Sequence, residues 1–186
     1  EKDAFLHYHD LGPRVKTLLK YTRLIKEGKI KNFSLEKFNF EKEIDKHGSI
    51  DDVLSPNKTL IIQIIKEPIS TKGPRVSSEL SFAGRFVVLV PFSNRVSVSQ
   101  KIKSKEERIR LKTLIEEFKP KGFGVIVRTV AQGKKIAELK KDLQSLNKQW
   151  VNLCKKIKGA KTPSRILSEL NRSSSILRDL FDDKFT

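Results

Sequence analysis

With 186 residues, the chain is long enough for one domain or two small ones with a genuine core. A hydrophobic content of 37% with a mean hydropathy of −0.43 argues against disorder, and no apolar run approaches the ~20 residues of a membrane-spanning helix. Lys and Arg number 39 against 22 Asp and Glu, a net charge of +17, which favours a polyanionic partner: nucleic acid first, an anionic membrane surface second.

The opening EKDAFLHYHDLGP reads as the end of a strand running into a Gly-Pro turn, with His7 and His9 on one face of an extended segment. Two histidines without further ligands do not make a metal site. From Arg14 to Ile25, Val15, Leu18, Leu19 and Thr22 fall at helical spacing and predict a short amphipathic helix. Lys26 to Asp45 interleaves Lys and Glu with Phe33, Phe38 and Phe40. Such a mixture can stack on bases, but it reads better as a surface insertion pinned to the body by its aromatics.

LIIQIIK (60–66) predicts a buried strand stopped at Pro68. VSSELSF (76–82), GRFVVLV (84–90) and VSVSQKI (96–102) are further strand candidates, so a sheet or small barrel is expected here. Ser104 and Glu107 have capping-box spacing ahead of a helix whose apolar face is Leu111, Leu114, Ile115 and Phe118. GFGVIVRT (122–129) predicts a short apolar strand ending in Arg128 and Thr129. An arginine fork beside a hydroxyl suits a phosphate, although a solvated strand-end charge satisfies the same residues.

The strongest periodic signal runs from about Lys134 to Lys158, with Ile136, Leu139, Leu143, Leu146, Trp150, Leu153 and Ile157 on one seam. An internal packing face, with Trp150 in the core and Cys154 an inert thiol, is the expectation; a coiled coil between subunits is the alternative. The opposite face carries eight lysines and could track phosphates. GAKTPS (159–164) is a linker, and a last helix is expected from about Ser173 to Phe181. The single cysteine fits a reducing, cytoplasmic compartment. The chain opens without Met and ends without tail composition, so it reads as a segment of a longer protein. No carboxylate group at metal-binding spacing, Gly-rich phosphate loop or GxSxG elbow is present. Pattern alone therefore gives a basic α+β nucleic-acid-binding segment without visible catalysis.

Several stretches together resemble the bacterial endoribonucleases of the RNase E/G type. LIIQIIKEPISTKGPRVSSELSFAGRFVVLVP is similar to the family's "VQV-KE-x4-KG" loop and its "L-x-G-x-(Y/F)-x-V-L-x-P" strands, and GFGVIVRTVAQGK to its "G-x-(I/V)-(I/V)-R-T-A" block. The resemblance is firm from about Leu60 to Trp150 and absent over roughly 14–50. It implies an OB-fold-type small β-barrel in part (1–78, with a basic insertion at about 14–50). A compact α+β 5′ sensor domain (79–172) and the start of a ribonuclease H-like segment (173–186) would follow. It also implies that the longer protein is a metal-dependent endoribonuclease cleaving single-stranded RNA in rRNA processing and mRNA decay, a homo-oligomer whose Mg2+ and Zn2+ sites lie beyond Thr186.

Carried over residue by residue, Arg128 and Thr129 would grip a 5′-terminal monophosphate, with Gly84 and Val88 lining the same pocket. Phe5 matches a base-stacking aromatic, and Lys66 and Lys72 match basic residues facing RNA. Gln100 stands where the family commonly has arginine, so either selectivity is weaker here or Lys101 substitutes. A non-catalytic RNA- or ribosome-binding module is the alternative, and a membrane-surface domain is disfavoured by the core-like seam under the lysines.

Overall fold

The computed structural model describes residues 3–168, which form an α+β fold with two sheets. In chain order the first elements are β1 (Phe5–Leu6), a 3-10 turn at Tyr8–Leu11 and α1 (Val15–Lys26). A long irregular stretch then leads to β2 (Gln63–Lys66), β3 (Arg75–Ser77), β4 (Phe82–Ala83), β5 (Val87–Pro91) and β6 (Val96–Val98). The last described elements are α2 (Lys105–Phe118), β7 (Phe123–Val127) and α3 (Ile136–Gly159). The first sheet has the order β1-β3-β2 and is open, consistent with part of an OB-type domain rather than a closed barrel. The second has the order β4-β5-β7-β6, with β6 parallel to β7 and the other pairs antiparallel.

Alternation decides which face of the second sheet is buried. Val87, Leu89, Val125 and Val127 are all sealed from solvent, and α3 covers them with Leu139, Leu143, Leu146, Trp150, Leu153 and Ile157. The seam is thus an internal packing face. Ile136, at its head, is the exception and stays exposed. Trp150 is the hub, with the rings of Tyr21, Phe82, Phe92 and Phe123 centred 5.5 to 6.2 Å from its own. Cys154 is buried beside this cluster, and burial pushes its thiol up to about 12.

Residues 14–50 are more than a surface insertion. Val15, Leu18, Tyr21 and Ile25 of α1 lie in the main body of the molecule, and Leu18, Tyr21, Ile25, Phe33 and Leu35 share one core cluster with Trp150. The indole N–H of Trp150 donates to the Phe33 carbonyl at 2.9 Å. The segment returns over α1 through Glu41, whose N–H donates to Thr17 Oγ1 at 2.9 Å and whose carbonyl accepts from Arg14. Phe38 and Phe40 pack their rings against Tyr21 and Phe92 rather than standing free for bases. Gly122, at φ +81°, lets the turn before β7 meet Leu35, whose Cβ lies 2.5 Å from where a Gly122 side chain would begin.

Four local expectations change. The strand predicted over 60–66 pairs only from Gln63 and is not buried: Ile64 is 61% exposed. The open sheet has no layer over that face among the described residues, and a register shift between Ile64 and Lys66 disturbs the alternation. The 76–82 run breaks after Ser77, because Ser77 and Ser78 turn their hydroxyls to the carbonyls of Asp10 and Leu11. VSVSQKI stays paired only to Val98. His7 and His9 do not share an extended face: His7 caps the 3-10 turn by accepting from the His9 N–H. The helix expected from Ser173 to Phe181 lies outside the described residues.

Candidate functional site

β7 carries its buried residues Val125 and Val127 on one face and Ile126 and Arg128 on the other. Ile126 is 46% exposed, so the strand is not wholly buried as its sequence predicts. Its neighbour across the ladder is the half-buried Val88. Val88 and Ile126 thus form an apolar ledge beside Arg128.

The arginine is held by backbone. Its own N–H donates to Phe86 O at 2.8 Å, extending the strand pairing by one residue. Its Nη1 donates to the carbonyls of Gly84 and Arg85 at 2.7 and 3.1 Å. Two carbonyl acceptors fix the plane of the guanidinium. Thr129 follows at the start of a 3-10 turn, exposed, with Oγ1 3.1 Å from Ser99 Oγ. Ser99 is positioned by its N–H, which donates to Val127 O at 2.9 Å. Gln100 and Lys101 are exposed in the turn just beyond it.

The carbonyls that hold Arg128 are themselves fixed by Asp142 on α3. Its carboxylate accepts from the N–H groups of Arg85, Phe86 and Val87 at 3.2, 2.8 and 3.1 Å. A side chain on Gly84 would begin 2.5 Å from that carboxylate. The glycine is therefore required by the close approach of Asp142. On the far side, Glu107 ties down the loop after Thr129: it accepts from Arg110 and from the Gly133 N–H at 2.8 Å. The Arg110 hydrogen bond, assisted by the Gly133 N–H and against the cost of burial, holds the Glu107 carboxyl down at about 2. The clamped guanidinium, the hydroxyl pair and the ledge set side by side a cationic group, one hydroxyl hydrogen not used within the pair and an apolar surface.

Of the sequence-predicted residues, Gly84, Val88, Arg128 and Thr129 come together at this corner, with Gln100 and Lys101 at its rim. Phe5 and Lys66 come together elsewhere, on either side of Arg75 in the three-stranded sheet, and Phe5 is 57% exposed. Lys72 sits in the loop between β2 and β3, bridged to Ile69 and exposed. Asp142 and the hydroxyl of Ser99 escaped sequence reasoning. The available signal for Asp142 was its isolation, since it is the one acid between Leu139 and Gly159. Among the described residues no group of three or more His, Cys, Asp or Glu side chains could hold a metal ion, and no helix is long and apolar enough to cross a membrane.

The profile of the Ribonuclease E/G family matches residues 81–186. Ribonuclease E of Nostoc sp. (strain PCC 7120) is 32% identical over 181 residues, covering 97% of this chain and 22% of that protein. Ribonuclease G of Haemophilus influenzae is 32% identical over 179 residues, and ribonuclease G of Escherichia coli K12 is 30% identical over 182. Each of these two alignments covers nearly all of this chain and 33% of the relative. The chain thus spans between a fifth and a third of the length of these relatives.

Proposed function

The chain belongs to the ribonuclease E/G family, and from that premise we propose that it is the RNA-binding, 5′-monophosphate-sensing part of a metal-dependent endoribonuclease acting on single-stranded RNA in the cytoplasm. In this reading residues 1–78 contribute the OB-type part, 79–172 the 5′ sensor and 173–186 the return into a ribonuclease H-like fold. The Mg2+ and Zn2+ chemistry, and any homo-oligomer, belong to parts of the longer protein outside the described residues. Roles in rRNA processing and mRNA decay follow from the same reading.

The observation that carries the proposal is the Arg128 guanidinium, clamped by the Gly84 and Arg85 carbonyls beside the Thr129–Ser99 hydroxyl pair. A terminal phosphate presents the oxygens that a guanidinium and the hydroxyl hydrogen left outside the Thr129–Ser99 pair complement, and the Val88–Ile126 ledge receives the first base. Lys101, next to Gln100, supplies the charge that the amide lacks.

The test compares the affinity of the chain for one short RNA carrying a 5′-monophosphate, a 5′-triphosphate or a 5′-hydroxyl. The monophosphate is expected to bind tightest. Arg128→Ala should cost that RNA about 1.5–3 kcal/mol, the range for a charge-assisted hydrogen bond, and leave the hydroxyl RNA unaffected. Equal affinity for all three ends would sink the sensor reading.

A further inference from the structure

We propose that the outward face of α3, centred on Lys141, Lys148 and Lys155, is a second docking surface for the RNA backbone, distinct from the 5′-phosphate corner. The inference takes the RNA-binding reading as given but does not depend on end recognition.

The geometry comes from helical periodicity. At 3.6 residues per turn, positions seven apart lie almost in line, so the three lysines form a row of about 21 Å along the helix. That row lies opposite the buried seam of Leu139, Leu143, Leu146, Trp150, Leu153 and Ile157. All three lysines are exposed, and the residues between them on the same face are Gln144, Ser145 and Asn152, which add hydrogen-bonding groups.

Several helical cations elsewhere in the molecule sit beside an acid three or four residues away. Arg23 pairs with Glu27, Arg110 with Glu107, Lys112 with Glu116 and Lys134 with Glu138. No such pair involves Lys141, Lys148 or Lys155 among the described residues. The one acid of this stretch, Asp142, points elsewhere and is occupied by three backbone N–H groups. The helix dipole accounts for lysines only in the last turn, at 156 and 158. Lys141 in the second turn, Lys148 mid-helix and Lys155 before the last turn all lie where the dipole does not act.

Phosphates fit this face better than a membrane does. An interfacial helix inserts large apolar side chains beside its lysines, whereas the one exposed large apolar residue of α3 is Ile136, in its first turn. The result is a division of labour: the Arg128 corner reads the end of the RNA and α3 holds its body.

The experiment uses the whole chain with Lys141→Gln, Lys148→Gln and Lys155→Gln combined, after confirming unchanged thermal unfolding. A 30-nucleotide RNA carrying a 5′-monophosphate or a 5′-hydroxyl is titrated over a range of salt. Both ends should bind about tenfold more weakly with their ratio preserved, and the slope of log K against log salt should fall by about 2, from roughly 0.7 per phosphate contact. Unchanged affinity and slope would overturn the proposal, as would loss confined to the monophosphate RNA. Vesicles of phosphatidylserine and phosphatidylcholine provide the other arm: loss of vesicle binding with RNA binding intact would assign the face to a membrane and overturn the proposal too. A wild type blind to the 5′ end, with the lysine effect intact, would remove the sensor reading and leave this one standing.

Discussion

Two β-branched runs with nearly the same sequence character meet opposite fates. In β7, Val125 and Val127 are sealed under α3, while in β2 Ile64 and Ile65 face solvent. The propensity for an extended backbone is common to both. What differs is the layer above: the four-stranded sheet has a helix on one face, and the three-stranded sheet has none over Ile64 among the described residues. A run of Val and Ile announces a strand, and only its partners determine burial.

The largest test of that contrast sets the two sheets against each other. Trp150→Ala should cost about 3–5 kcal/mol in urea unfolding, the range for deleting a large core aromatic. Ile64→Thr should change stability by no more than about 0.5 kcal/mol. Comparable losses at the two positions would break the comparison. Next in size is the brace between α3 and the β4–β5 hairpin. Asp142→Ala strands three N–H groups and should cost about 2–3 kcal/mol, and it should also erode discrimination between 5′ ends by freeing the carbonyls that clamp Arg128. Asp142→Asn, keeping one acceptor oxygen, should fall between. Full end discrimination in Asp142→Ala would show that Arg128 is positioned without the brace.

The smallest effect sharpens the picture at the loop after Thr129. The Glu107 carboxyl sits near 2 in the fold against an ordinary 4.5, so it stabilises the fold above about pH 4.5 and loses that contribution as pH falls toward 2. Because Arg110 is partly exposed, screening limits the effect to about 1 kcal/mol. Glu107→Gln should therefore be less stable at neutral pH and converge with the wild type near pH 2. Parallel pH profiles for the two proteins would remove Glu107 from the account.

Local signals were readable where the chain solves its problem locally. Ser104 caps α2 through the Glu107 N–H, as its spacing predicts, and the seam from Leu139 to Ile157 is buried. The same rule fails for the Glu107 side chain, which turns to Arg110 and to Gly133, 26 residues on. Asp142 was illegible for a related reason: its partners are backbone N–H groups 55 to 57 residues away, with no side-chain signature. The aromatics of 33–40 do pin the segment to the body, but which partners they meet, α1 and Trp150, depends on packing between segments more than a hundred residues apart. The sequence singles out Arg128 and Thr129 as candidates; it does not show what holds them.

Trp150 is the one tryptophan in the chain. Its indole N–H is committed to Phe33, its ring is 2% exposed, and Tyr21 lies close enough to feed it excitation energy. Its emission is consequently an optical gauge of the core, shielded from quenchers in solvent and silent to a ligand that only touches the surface. A shift in that emission on adding RNA would mean that binding at the periphery reaches the hub where α1, α3 and the four-stranded sheet meet.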